Sequence, residues 1–239
     1  MPHPTTLSKD SKYLISYFDE KFSDMEAKFM SAIQSKDEEI KSLRSEVVTL
    51  KESVDKLKDL VDESDAYERR DTLIFSGNTV PRAEPGENCF STLQNLLKEK
   101  LSTEVATSEL SVVHRLGPKP TNQREDRRPI IAKFCRRDTK SAVLVTGRRA
   151  RTPNLFVNES LTPLRKNIFT TLRRMKKDHP DLVKGVTTFD GKIYAFTKPV
   201  SPSVARDQKH YIANKTQLVN FCRDHVKKPI DEFIGDLQL

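Results

Sequence analysis

Tryptophan is absent from the 239 residues, glycine occurs seven times and cysteine three times. Cys89, Cys135 and Cys222 are odd in number and widely spaced, so they build neither a disulfide framework nor a zinc module and suit a reducing compartment. Hydrophobic residues make up only 36%. That is too little for one large core and argues against a single compact enzyme, while the length allows two modest domains. No stretch approaches the roughly 18 apolar residues of a membrane span. Met1-Pro-His-Pro-Thr-Thr6 also lacks the basic start and apolar centre of a secretory leader. The expectation is a soluble, intracellular chain with no membrane partner.

Catalytic patterns are missing as well. The sequence has no Walker-type phosphate loop, no serine nucleophile elbow, no H-E-x-x-H and no Cys/His array with metal spacing. Cys222-x-x-His225, with His210 upstream, falls short of the four ligands of a structural zinc, so these read as ordinary helix residues. His114 sits in an apolar strand and reads as structural, and the scattered acidic residues make no metal-binding carboxylate cluster for a nuclease. The expectation is a non-enzyme with no cofactor and no metal.

What the sequence has in plenty is charge, unevenly placed. The net +8 averages residues 1–71, with 12 basic against 17 acidic, and residues 72–239, with 30 against 17. Within the latter, residues 115–198 hold 21 basic and seven acidic residues. Concentrating like charge in a region patterned to fold costs self-repulsion that a polyanion would relieve.

From Leu14 to about Tyr67 there is no Gly or Pro, and apolar residues recur in steps of three and four, the seam of a coiled coil. Ile33, Ile40, Val47, Val54 and Val61 take the a positions; Lys36, Leu43, Leu50, Leu57 and Ser64 take d. Ile15, Phe18, Phe22, Met25 and Phe29 step likewise, and two consecutive fours between Met25 and Ile33 make a stutter. The rod would be roughly 75 Å long at ~1.5 Å per residue. Parallel strands pair Glu39 with Arg44′ and Glu46 with Lys51′, whereas antiparallel strands set like charges together. β-Branched a with Leu at d favours two strands. An amphipathic helix packed on its own domain is the alternative, and the length without a cap weighs against it.

Downstream, the pattern predicts a strand at Thr72–Gly77, a helix at Glu87–Leu101, a strand at Glu109–Leu116 and a basic loop at Gly117–Arg128. A strand at Pro129–Phe134, a helix at Arg137–Thr146 and a strand at Leu155–Val157 follow. This β-α-β-β-α-β order is the split βαβ pattern, ferredoxin-like and shared by the RNA-recognition module. A helix capped by Thr162 with Pro163 at its first position runs to about Lys177, ended by Asp178-His-Pro180. Strands Val183–Phe189 and Lys192–Phe196 flank the Asp190-Gly191 turn. Helical patterns follow around Leu218, Phe221 and Val226, then Ile230, Phe233 and Ile234. The fold class expected is α+β: a flexible 1–12, a coil over 13–68, an RNA-recognition-like domain over 69–157 and a small α+β domain over 158–239.

The strongest chemical constellation is cationic: Arg124, Arg127 and Arg128 on one loop, Lys133 on the next strand, Arg148, Arg149 and Arg151 at a helix end, and Arg165, Lys166, Arg173 and Arg174 on the following helix. Guanidinium forks grip phosphate and stack on bases, which suits a groove for a flexible single strand. Phe189 and Tyr194 on the hairpin, beside Lys192, are candidate stacking faces or core.

Tyr67-Glu-Arg-Arg-Asp-Thr-Leu-Ile-Phe-Ser-Gly77, Val113-His-Arg-Leu-Gly117, Arg128-Pro-Ile-Ile-Ala-Lys-Phe134, Asn158-Glu-Ser-Leu-Thr-Pro-Leu-Arg-Lys166 and Thr188-Phe-Asp-Gly-Lys-Ile-Tyr194 stand in order behind the coil, with a looser echo at Asn214–Phe221. In this the chain resembles the first-open-reading-frame proteins of LINE-type (non-LTR) retrotransposons: coiled coil, atypical RNA-recognition module, small C-terminal domain. The resemblance implies a parallel homotrimer, against the dimer of the a/d identities, that coats its element's RNA as a nucleic-acid chaperone in a cytoplasmic ribonucleoprotein particle, with the nucleus as a second location. It places contacts with single-stranded RNA, and DNA, on Arg124, Arg127, Arg128, Lys133, Arg148, Arg149, Arg165, Lys166 and Phe189. The strand Pro129–Phe134 departs from it, lacking the paired aromatics of a typical RNA-recognition module. The competing reading is a structural or assembly protein, including a viral relative of the same domain, that binds protein partners through the coil and C-terminal domain.

Overall fold

The computed structural model describes residues 8–119, 126–199 and 207–226. It divides into two compact units, Met1–Lys58 and Asp59–Leu239. Arg124 and the Ile230–Ile234 pattern lie outside the described residues.

Helix α1 (Lys9–Arg69) begins four residues before the expected start. Ser8 caps it, its Oγ accepting from Ser11 N at 3.2 Å. The helix runs unbroken through the stutter. The expected seam residues Ile33, Ile40, Leu43, Val47, Leu50, Val54, Leu57 and Val61 are 46–68% exposed in the single chain. No described helix is long and apolar enough to cross a membrane.

The second unit starts ten residues before the expected coil boundary, because the last turns of α1 carry polar groups that bind downstream elements. Asp62 accepts from Thr162 Oγ1 and from Arg165 Nε at 2.8 Å, and Asp59 accepts from Asn214 Nδ2 at 2.8 Å. Ala66 is buried.

Strand β1 (Thr72–Ser76), helix α2 (Cys89–Leu101), strands β2 (Leu110–Arg115) and β3 (Ile130–Phe134), helix α3 (Arg137–Ala150) and strand β4 (Phe156–Glu159) follow in the expected order. The sheet order is β2-β3-β1-β4, every pair antiparallel, with Ile74 opposite Ile131 and Asn158. Asn88 caps α2 through Phe90 N and Ser91 N. Alternation sends Leu73, Phe75, Ile130, Ala132 and Phe134 into a core with Leu93 and Leu97 of α2 and Val143 and Leu144 of α3. Ile74, Ser76, Ile131 and Lys133 are left on the other face.

Helix α3 passes its expected end at Thr146. Gly147, just past that expected end, is where α3 meets β4: a Cβ there would stand 2.6 Å from a methyl of Val157. The residue serves close packing and does not stop the helix.

Helix α4 (Pro163–Asp178) is capped by Thr162, which accepts from Arg165 N. Strands β5 (Val183–Phe189) and β6 (Lys192–Thr197) turn at Asp190 (φ 50°) and Gly191 (φ 71°), the left-handed pair of a type I′ hairpin. Strand β7 (Gln208–Tyr211), absent from the sequence reading, extends the sheet in the order β5-β6-β7. Helix α5 (Lys215–Phe221) and a π-turn over Cys222–Val226 complete a second core of Ile168, Leu172, Met175, Val183, Ile193, Ile212 and Leu218.

Buried ions join the two cores. Lys140 Nζ of α3 is 2.5 Å from Glu159 of β4 and 3.1 Å from Asp190 of the hairpin turn. Arg165 donates to the Gly191 carbonyl at 2.9 Å. The turn is thereby held by both the four-stranded sheet domain and α4.

Candidate nucleic-acid interface

Between the outer face of the four-stranded sheet and α4 lies a cleft of about 740 Å³. Helical spacing puts Arg165, Ile168, Leu172 and Met175 on the buried side of α4 and leaves Lys166, Thr170 and Arg173 outside. The cleft is lined by Ile74, Ile131 and Asn158 on the sheet and by Lys166, Phe169 and Arg173 on the helix. Arg69 reaches it too, and its guanidinium is held 2.6 Å from Asp65. Lys166 and Arg173 are exposed and have no carboxylate partner among the described residues. The Arg173 guanidinium lies 5.8 Å from the Phe169 ring centre. The arrangement offers two cations, an aromatic edge and an apolar floor: phosphate contacts beside a surface for bases.

Of the expected contact residues, Lys166 and Arg173 meet in this cleft, and Lys133 stands exposed on the same sheet face, two residues from Ile131. Arg149 and Arg174 are exposed but do not line it. Arg148 donates to the Thr188 carbonyl at 3.0 Å and to Thr188 Oγ1 at 2.9 Å, which ties α3 to the hairpin. Phe189 is 53% exposed, so it is not core, and Lys192 beside it is exposed as well.

Two expected contacts are corrected. Arg165 is buried, its guanidinium bonded to Asp62 and Gly191 O, because its place in the first turn of α4 faces α1 and the hairpin. Arg128 bonds the buried Asp126 through Nε and Nη2, at 2.9 to 3.1 Å, and Gly117 O through Nη1. Hydrogen bonds from Arg128 hold the Asp126 carboxyl below its ordinary value, and those to Asp126 hold the arginine above its own. The Arg165 guanidinium is thereby withdrawn from solvent, and that of Arg128 is committed first to Asp126 and Gly117 O. Arg127 is exposed but braces the chain through Asn78 O and Val80 O, at 2.7 and 2.8 Å.

The two histidines near the C-terminal sheet pack with Phe221: the His210 and His225 ring centres are 4.1 Å apart and Phe221 is 5.3 Å from each. Burial, then His225, lowers the His210 pKa, and burial pushes the Cys222 thiol up to about 11, away from a ligating thiolate. No group of three or more metal-binding side chains occurs among the described residues.

Phe169 was missed, although its spacing from Lys166 and Arg173 places all three on one side of a helix. No family model matches the chain. No curated protein matches it either.

Proposed function

We propose that this chain is an oligomeric, non-enzymatic protein that binds single-stranded RNA, and single-stranded DNA with it, in the cleft between the four-stranded sheet and α4. The observation that carries the reading is the pair of exposed cations, Lys166 and Arg173, without a carboxylate partner among the described residues and facing an open sheet surface across that cleft. The β-α-β-β-α-β order with sheet order β2-β3-β1-β4 supports a ferredoxin-like, RNA-recognition type of domain. The exposed seam of α1 supports a parallel coiled coil, a trimer by resemblance and a dimer by its a/d identities. Joining several basic heads on one rod raises the effective concentration of each head at the strand. That fits a packaging and chaperone role in a ribonucleoprotein particle of a LINE-type element. The reading calls for no cofactor.

Its test is Lys166→Gln with Arg173→Gln in the full chain, measured by fluorescence anisotropy on an unstructured RNA and by light scattering. About tenfold weaker binding, with the slope of log affinity against log salt reduced by about 1.4 for two lost phosphate contacts, is expected at unchanged particle mass. Unchanged affinity would remove the cleft as the binding site.

A further inference from the structure

The sheet β5-β6-β7 buries one face against α4 and α5. Its other face carries Phe189 on β5, Tyr194 and Phe196 on β6, and Tyr211 on β7, interleaved with Lys192 and Lys209. The register sets Tyr194 beside Tyr211, Phe196 beside Lys209, and Phe189 beside Lys192. Gly185 lies opposite Phe196 on the same face. A solvent-facing sheet surface is ordinarily polar, and cross-strand tyrosine pairs by themselves contribute only modestly to a sheet. Here Phe189 and Tyr211 remain 53% and 42% exposed.

Cations are threaded through these rings. Lys209 Nζ lies 3.8 Å from the Tyr194 ring centre, Tyr194 and Tyr211 are 5.7 Å apart, and Lys192 Nζ is 5.9 Å from Tyr211. The row then meets a cavity of about 210 Å³, lined by Tyr211, Lys192, Tyr67, Arg70 and Arg137 among others. Arg70 stacks on Tyr67 with its guanidinium carbon 3.4 Å from the ring centre. Arg70 and Arg137 share the single carboxylate of Asp71, at 3.5 and 3.4 Å, longer than a strong charge-assisted pair. Glu63 and Asp190 also reach the cavity, and Asp190 is already held by Lys140.

We propose that the outer face of β5-β6-β7 is a base-stacking track for single-stranded nucleic acid, running into the cavity at Arg70 and Arg137. Aromatic faces accept any base, and the lysines beside them pair with the phosphates between successive bases. An acidic peptide would use the cations and leave the rings unused. The track lies on the face of the C-terminal sheet turned away from α4, so it is distinct from the cleft. It rests on the nucleic-acid reading and adds a second contact surface to it.

The test is photo-crosslinking of the intact protein to oligouridylate, with crosslinked peptides mapped by mass spectrometry, beside anisotropy on Tyr194→Leu/Tyr211→Leu. Crosslinks on the β6 and β7 tyrosines and affinity weakened by at least about thirtyfold are expected for two lost stacking faces. If the wild-type protein binds but crosslinks map only to α4 and the four-stranded sheet, and the double variant binds equally well, the track is refuted and the cleft stands. A wild-type chain that binds no oligonucleotide overturns both. Should the double variant fail to fold, the wild-type crosslink map alone decides.

Discussion

Lys140→Met should be the most damaging conservative substitution in the second unit. The ammonium is fully buried, 2.5 Å from a Glu159 carboxylate that is itself 2% exposed. Among the described residues Glu159 Oε2 already lacks a hydrogen-bond partner, and Arg148 stands 4.0 Å away. Removing the lysine strands a buried negative charge, which costs about 3–5 kcal/mol. Arg148 offsets part of this, so the lower end is expected. Against a typical domain stability of about 5–15 kcal/mol that is a large share. Asp190 is more exposed and leaves the Lys140–Glu159 pair intact when changed, so Asp190→Asn should cost only about 1 kcal/mol. Because the penalty arises from a stranded charge and not from lost volume, Lys140→Met with Glu159→Leu should return to within about 1–2 kcal/mol of wild type. Urea unfolding followed by tyrosine fluorescence serves as the assay, since Tyr194 and Tyr211 lie on the hairpin sheet that the cluster holds. A single variant losing less than about 1 kcal/mol, or a double variant as unstable as the single, would refute the electrostatic reasoning.

Two further expectations follow. The folded chain releases the Asp126 proton more readily than the unfolded chain does, so the stability contributed by this carboxylate is present above about pH 4 and disappears as pH falls through its lowered pKa; the difference in urea midpoint between wild type and Asp126→Asn should shrink on going from about pH 6 to about pH 3, and a constant difference would contradict the pairing with Arg128. Val47→Asp with Leu50→Asp places charges on the expected seam, where each buried side chain contributes about 1.5–3 kcal/mol; light scattering should fall to the 27.4 kDa of one chain, whereas an unchanged oligomer would exclude this seam.

The β-α-β-β-α-β order was legible because short β-branched and aromatic runs such as Thr72–Ser76 and Ile130–Phe134 alternate with amphipathic helical patterns, and Asn88 and Thr162 mark the starts of α2 and α4. The Asp190-Gly191 hairpin was equally readable, since that pair favours the left-handed backbone it adopts. Strand β7 was not: Gln208-Lys-His-Tyr211 is short and polar, and it becomes a strand only by pairing with β6. With it went Tyr211 and Lys209, one ring and one cation of the aromatic row. Charge clustering located the basic region but could not separate an arginine facing solvent from one turned inward. Arg165 and Lys166 are adjacent in sequence and fall on opposite sides of α4. Arg128 lies in a loop whose neighbour Asp126 claims it, a pairing that the abundance of arginines there conceals.

The most direct test of nucleic-acid binding is the salt dependence of wild-type affinity for an unstructured oligouridylate, titrated by fluorescence anisotropy from about 50 to about 200 mM salt. Five phosphate contacts, through Lys133, Lys166, Arg173, Lys192 and Lys209, predict a log–log slope of about −3.5 at roughly 0.7 per contact on a single strand. Affinity that is undetectable at about 50 mM salt, or a slope near zero, would contradict the reading of the basic region as a nucleic-acid-binding surface.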